Sequence, residues 1–395
     1  MHTDSRHPPG APPAGSALSA APRGRGARGN PQSRFERFRR APTDDGWFGP
    51  TGEPPRCVTT VVDEQARRVL SRNTSPDLPF NLSLNPYRGC EHGCVYCYAR
   101  PNHEHLGLSA GLDFESRLLA KVNAAERLQA ELSAPSYRCE PINLGSATDA
   151  YQPVERERRI TRAVVEVLAR ASQPVVVVTK SALIERDLDL LGPMGRAGLA
   201  AVYVSVTTLD PALARRWEPR AAAPWRRLET IRRLAEAGIP VGVSVSPLVP
   251  FLNEPELEQI LEAARSMGAS HGFHTILRLP GAVQGLFIDW LNAHYPERAR
   301  RVLARLTDMR DPSGGRALND SRFHSRMRGR GHWADLIAMR FQLAERRLGL
   351  NRTPLNLRTD LFSPPRQDGQ LGLFATASMP SAAGPANVDV CRRRS

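Results

Sequence analysis

The sequence predicts an α/β protein built on a parallel sheet. Three observations carry that prediction. Between residues 80 and 280, short apolar runs alternate with stretches whose apolar residues recur at helical spacing. The clearest run, Pro174-Val175-Val176-Val177-Val178-Thr179-Lys180, does not alternate with polar residues, as suits a strand buried on both faces. Several runs turn polar only at their C-terminal ends, where parallel α/β folds place their sites. At 395 residues and 41% hydrophobic, the chain can build one large domain with tails, or two modest ones.

Residues 1–33 hold Pro8-Pro9-Gly10, Pro12-Pro13 and the basic run Arg23 to Gly29, and are expected to form a disordered basic tail. Residues 34–79 form a pre-core segment, with a strand over Val58–Val62 and a short helix over Glu64–Leu70. The domain at 80–280 then opens with Asn81–Asn85, a strand running into a loop. Helices are predicted over Phe114–Leu132, Val154–Ala171, Leu183–Leu191, Pro224–Ala237 and Glu254–Met267. Between and after them lie strands at Pro141–Gly145, Pro174–Lys180, Ala201–Val206, Val241–Val245 and Phe273–Leu279. About six strands in such alternation form either a barrel or a doubly wound sheet. Residues 281–352 supply a helical extension, Leu286–Leu306 and Trp333–Leu348, joined by a basic linker with Arg322, Arg326, Arg328 and Arg330 and expected to cap an open side. Residues 353–395 make a second disordered tail, with the apolar tag Leu371-Gly372-Leu373-Phe374.

The chemistry concentrates in the loop Asn85 to Tyr98. It gathers Cys90, Cys94 and Cys97 in a CxxxCxxC spacing, three of the chain's six cysteines. Three thiolates on one short loop suit a [4Fe-4S] cluster with one iron left open, whereas a structural zinc site wants four protein ligands. Two other readings stand beside it: ordinary buried thiols, or zinc with His92 or His103 as fourth ligand. Gly89 and Gly93 allow the tight backbone that wrapping a cluster requires. Cys57, Cys139 and Cys391 are scattered without a disulfide framework.

The motif, with aromatic Tyr96 before its last cysteine, resembles the signature of the radical S-adenosylmethionine (SAM) superfamily. The resemblance implies a partial (β/α)6 barrel, open on one side, with a [4Fe-4S] cluster and SAM at the C-terminal ends of the strands. It also implies an electron donor such as flavodoxin or ferredoxin, and a 5′-deoxyadenosyl radical that abstracts a substrate hydrogen. The run from Asn81 to Glu254, including Thr148 to Glu155 and Glu218-Pro219-Arg220-Ala221, is similar to the branch of spore photoproduct lyase and the DNA-repair-photolyase-like proteins. By position, that branch's SAM contacts fall on Ser146, Lys180 and Ser205. Tyr96, expected near the adenine, Tyr98, Thr207 and Arg220 complete the candidate SAM contacts; Arg220 either binds the carboxylate or pairs with Glu218. The lyase's hydrogen-donating cysteine has no counterpart at the strand end Gly145-Ser146-Ala147, and Cys139 precedes that strand at its opposite end.

A formal net charge of +14 invites a nucleic-acid partner, yet only Lys121 and Lys180 are lysines, so a compositional bias toward Arg explains much of the basicity. A cluster-bearing nucleic-acid-binding protein without turnover is the reading from another class. No apolar run reaches membrane-spanning length and no signal peptide is evident, so a cytoplasmic protein is expected. Anaerobically reconstituted protein is expected to bind about four irons through Cys90, Cys94 and Cys97. Alanine at Cys57, Cys139 or Cys391 should leave the iron in place; iron lost in any of these, or fully kept in Cys94→Ala, contradicts the assignment.

Overall fold

The computed structural model describes residues 22–36, 57–311 and 317–365. Ten strands are described: β1 (Thr60–Glu64), β2 (Leu70–Arg72), β3 (Leu82–Leu84), β4 (Tyr87–Arg88), β5 (Arg117–Lys121), β6 (Ile142–Leu144), β7 (Val175–Thr179), β8 (Ala200–Ser205), β9 (Val241–Leu248) and β10 (His271–Ile276). Seven of them form one sheet in the order β10-β9-β8-β7-β6-β3-β2. The six from β3 to β10 run parallel, and β2 adds antiparallel at the β3 edge. Each parallel strand pairs with the next one in the chain, without the reversal of a doubly wound sheet. That order makes a partial barrel with edges at β10 and β2.

Valines and leucines fill the strands, and the core they build continues into the helices between them, such as Pro224–Glu236 and Leu257–Ser266. Three local expectations are corrected. The helix expected over Phe114–Leu132 is broken by β5, where Leu118 and Ala120 are buried between β1 and β4 in a second sheet of order β1-β5-β4; strand pairing there overrides a helix-compatible spacing. No helix covers Glu64–Leu70. Glu64 ends β1, and the amides of Val69 and Leu70 donate to the carboxylate of Glu131 at 2.6 and 3.3 Å. The predicted helix Leu286–Leu306 is two, Val283–His294 and Pro296–Arg310, because a proline ring cannot extend the first.

Parts of both expected tails are packed. Arg25 and Ala27 are buried, so the basic run is not a solvated tail. At the other end Arg358 N donates to Gly198 O and Ser363 N to Ala171 O, both at 2.9 Å, while the ring of Phe362 meets Tyr137 at 5.3 Å. The tag at Leu371–Phe374 and Cys391 lie outside the described residues.

The basic linker runs along the open side of the barrel. Ile276 N donates to Met327 O at 2.9 Å, which ties the linker to β10. At the other edge, Asp77 in the β2–β3 loop accepts from Arg326 Nε and His324 N, each at 2.5 Å. Fully buried Arg310 holds the arrangement by donating to the carbonyls of Ile276 (2.7 Å), Leu277 (3.2 Å) and Arg326 (2.8 Å). Arg310→Met would leave these carbonyls unpaired, which should cost on the order of 3 kcal/mol of stability. A urea midpoint equal to that of the wild type would show that Arg310 does not hold the linker.

Candidate functional site

The loop after β3 lies at the C-terminal ends of the parallel strands. Cys90 and Cys94 are buried and Cys97 is half-buried. Gly93 takes a left-handed φ of 67°, and a side chain there would run into the Glu115 carboxylate at 2.8 Å. Glycine is therefore required by both conformation and space.

Buried polar groups brace the loop from behind. Arg100, fully buried, donates to the carbonyls of Cys94 (2.9 Å), Gly93 (3.3 Å), Ala110 (3.0 Å) and Gly111 (2.9 Å), and pairs with the equally buried Glu115. The other side of Glu115 takes the amides of Gly26 at 2.9 Å and Ala27 at 2.8 Å, so the basic N-terminal run seats against the cysteine loop. Arg25 adds a bond to Glu115 O at 2.6 Å. From the sheet side, Gln152 accepts from Glu91 N at 2.8 Å and donates to Gly89 O at 3.2 Å.

Asp149 joins the loop to the strand ends. Its carboxylate accepts from Thr179 Oγ1 (2.8 Å), Lys180 N (2.7 Å) and Tyr151 N (2.9 Å), and pairs with His92 Nδ1 at 3.3 Å. Burial alone would raise its pKa, but His92 and the two amides hold it at about 2. His103 Nε2 bonds Arg117 O at 2.9 Å. Both histidines proposed as a fourth zinc ligand thus have other partners. The donor set on this loop is three thiols, which fits a cluster with an open iron better than a closed zinc site.

Facing the loop, Glu218 collects Tyr96, Thr207 and Arg227. Thr207 Oγ1 donates at 2.8 Å, the Tyr96 hydroxyl also donates, and Arg227 forms a fully buried ion pair with it. Tyr96 packs edge-on against Trp217 at 5.2 Å. The expected Arg220–Glu218 pair is not formed. Arg220 instead pairs with Glu91 at 2.9 Å, on the back of the cysteine loop.

Lys180 is half-buried, its ammonium 6.0 Å from the centre of the Tyr96 ring. The ammonium itself makes no hydrogen bond or ion pair among the described residues, although the Lys180 amide is held by Asp149. Burial favours the neutral amine, but Cys94 and Glu218 hold the pKa above its usual value. Ser205 is buried; its carbonyl accepts from Arg227 Nη1 at 3.1 Å, and its hydroxyl makes no bond among the described residues. Ser146 Oγ accepts from Asn85 Nδ2 at 3.1 Å, and its carbonyl accepts from the Tyr98 hydroxyl. The Tyr98 side of the loop opens to solvent, this residue being 52% exposed. Cys139 lies before β6 with Sγ 3.6 Å from Gln173, at the strand's opposite end.

Residues 84–264 match the family described as the Radical SAM superfamily. They form a radical SAM domain. An uncharacterized protein of Mycobacterium tuberculosis is 36% identical over 226 residues, 57% of this chain and 66% of that protein. The chain therefore spans just under two thirds of that relative's length. Another uncharacterized protein, of Methanocaldococcus jannaschii, is 25% identical over 60% of this chain and 84% of its own length. Among solved structures, a mutant of spore photoproduct lyase shares the fold at a TM-score of 0.52 and 15% identity, covering 76% of this chain and 85% of that one. The superfamily's cofactors are a [4Fe-4S] cluster and SAM.

In the radical SAM domain, sequence reasoning found the cysteines and the strand-end polar residues but missed Glu115, Arg100, Gln152, Asp149 and Glu218. Asp149 and Gln152 were within reach, since Thr148 to Glu155 crowds polar residues at the end of a buried strand. Among the described residues, no helix is long and apolar enough to cross a membrane. Gln152→Leu removes both partners of a buried amide and carbonyl, which should destabilise the loop by about 1–3 kcal/mol. Reconstituted iron should then be lost to a chelator faster than from the wild type; an unchanged rate would show that Gln152 does not brace the loop.

Proposed function

We propose that this protein is an enzyme that binds a [4Fe-4S] cluster through Cys90, Cys94 and Cys97 and cleaves SAM reductively to drive radical chemistry on a substrate not yet assigned. The observation that carries this reading is a loop of three thiols together with a lysine at the same barrel mouth whose ammonium makes no hydrogen bond or ion pair among the described residues. Held by Cys90, Cys94 and Cys97, such a cluster would supply the electron for reductive cleavage of SAM to methionine and a 5′-deoxyadenosyl radical.

The chain's own residues orient and enclose. In this reading the Lys180 ammonium neutralises the SAM carboxylate, and Ser146 and Ser205 offer hydroxyls to the ribose or carboxylate. Tyr96, fixed by Glu218 and Trp217, gives the adenine side a rigid wall, and Tyr98 faces the opening. Arg220 acts on the loop through Glu91 rather than on SAM. A flavodoxin or ferredoxin supplies the electron. The strand end after β6 carries no thiol and Cys139 lies at the far end of that strand, so the thymine-dimer reaction of the lyase is not assigned to this chain.

A second reading, action on or binding to nucleic acid, is favoured by one observation: the linker over the open side carries Arg328 and an exposed Phe323 (54%), while Arg322 and Arg330 pair with Asp320 and Arg326 with Asp77. DNA affinity that falls steeply with salt, persists without SAM and accompanies no SAM cleavage would favour the non-catalytic version.

The Lys180→Met variant tests the main reading, because it keeps the stem's packing and deletes the charge. A carboxylate left unpaired in a confined site costs about 2 kcal/mol or more, so SAM affinity should fall roughly thirtyfold. Iron content should stay near the wild-type value. Lys121→Met, on β5 away from the mouth, should alter neither. Unchanged SAM affinity in the Lys180 variant would remove the lysine from the SAM site, and no 5′-deoxyadenosine from wild-type protein with dithionite would overturn the enzyme reading.

A further inference from the structure

Arg278 follows β10 by two residues and therefore stands at the same mouth as the cysteine loop. Its guanidinium carbon lies 5.7 Å from the centre of the Tyr98 ring, one residue beyond Cys97. The side chain is half-buried, and its buried Nε has no hydrogen-bond partner. Among the described residues its one polar contact is weak, from Nη1 to the Met327 sulfur at 3.7 Å. Asp77 could have served as a counter-ion, but its oxygens already take Arg326 and the amide of His324. Arg326 and Arg310 add two further cations nearby, and Asp320 faces Arg310.

An arginine does not shed its charge at neutral pH. Burying Nε without a partner is unfavourable unless an acceptor arrives. The buried arginines Arg25, Arg100, Arg227 and Arg310 each satisfy several carbonyls or carboxylates. Arg127 and Arg305 also have an unpartnered buried Nε, but each pairs with a carboxylate through its Nη groups, which Arg278 does not do among the described residues. The planar fork of Arg278 matches an oxyanion, and the Tyr98 ring beside it offers an apolar flank.

We propose that Arg278 anchors an oxyanion of the substrate, a phosphate or a carboxylate, at the barrel mouth beside Tyr98. This inference rests on the reading of that mouth as the substrate's entrance. It assigns the incoming molecule a negative group held across the opening from Lys180, whose own partner is SAM.

Cluster-loaded, SAM-bound protein is titrated calorimetrically with phenyl phosphate and with benzoate, which share a ring and differ in the oxyanion. Saturable binding of either supports the proposal, and the tighter of the two identifies the class of group. Arg278→Met should weaken that binding at least tenfold while keeping wild-type iron content. Arg278→Lys, which keeps the charge without the fork, should fall between them, and Arg232→Met, on an outer helix, should match the wild type. The proposal is overturned if neither anion binds the wild type, if Arg278→Met binds as tightly, or if both Arg278 variants lose iron. Wild-type protein that binds the anion yet fails to cleave SAM would sink the enzyme reading alone; cleavage without anion binding would sink the anchor alone.

Discussion

A carboxylate without solvent, Glu115, fixes where three cysteines stand. Glu115 and Arg100 are both fully buried, and each would be costly alone. Together they are stable because the guanidinium satisfies four backbone carbonyls, two in the cysteine loop and two just before the helix Leu112–Ser116, and the carboxylate takes two backbone amides. Removing one partner of such a pair typically costs about 3–5 kcal/mol. The cysteine loop, the helix Leu112–Ser116 and the N-terminal run at Arg25–Ala27 therefore form one polar unit. Each part's backbone groups depend on the others.

The loop has two faces, and they differ in how far hydrogen bonding is satisfied. Behind it, Gln152, Asp149, Glu91 and Arg220 leave few buried groups unpaired. In front, Lys180 and Arg278 have little to bind. Among the described residues the Lys180 ammonium and the Arg278 Nε make no hydrogen bond, and this is the opening where the proposed ligands would bind. The run Thr148 to Glu155 is the hinge between the faces. Asp149 and Gln152 hold the loop, and Glu155 takes the Tyr87 hydroxyl and pairs with Arg186 at 2.8 Å.

The six parallel strands of the barrel were legible, most clearly β7, β8 and β9, whose apolar runs leave one reading, and less directly β3 and β10, which carry polar residues. The cysteines were legible because their spacing is local. What stayed hidden depended on long-range pairing. β5 reads as helix until β1 and β4 are known to flank it. Arg25 reads as a solvated tail residue until Glu115, 90 positions away, is seen beneath it. Arg220 and Glu218 are near neighbours in sequence, so a local pair looked natural, yet each finds its partner elsewhere. Sequence distance says little about which of many arginines meets which carboxylate.

The arginine-rich composition acquires a physical meaning in this light. Buried arginines serve as multi-donor braces: Arg310 ties the linker to β10, Arg227 ties Glu218 to the carbonyls of Ser205 and Ala222, and Arg100 ties the cysteine loop. A planar fork with five donors suits a backbone that turns sharply and presents several carbonyls at once. Much of the formal charge of +14 is thus spent on the protein's own acceptors, and it overstates the attraction available to an external polyanion. Lysine at position 180 makes the same point from the other side. A compact ammonium on a flexible stem is poorly suited to bracing a fold but well suited to meeting one small carboxylate, and among the described residues it makes no hydrogen bond or ion pair.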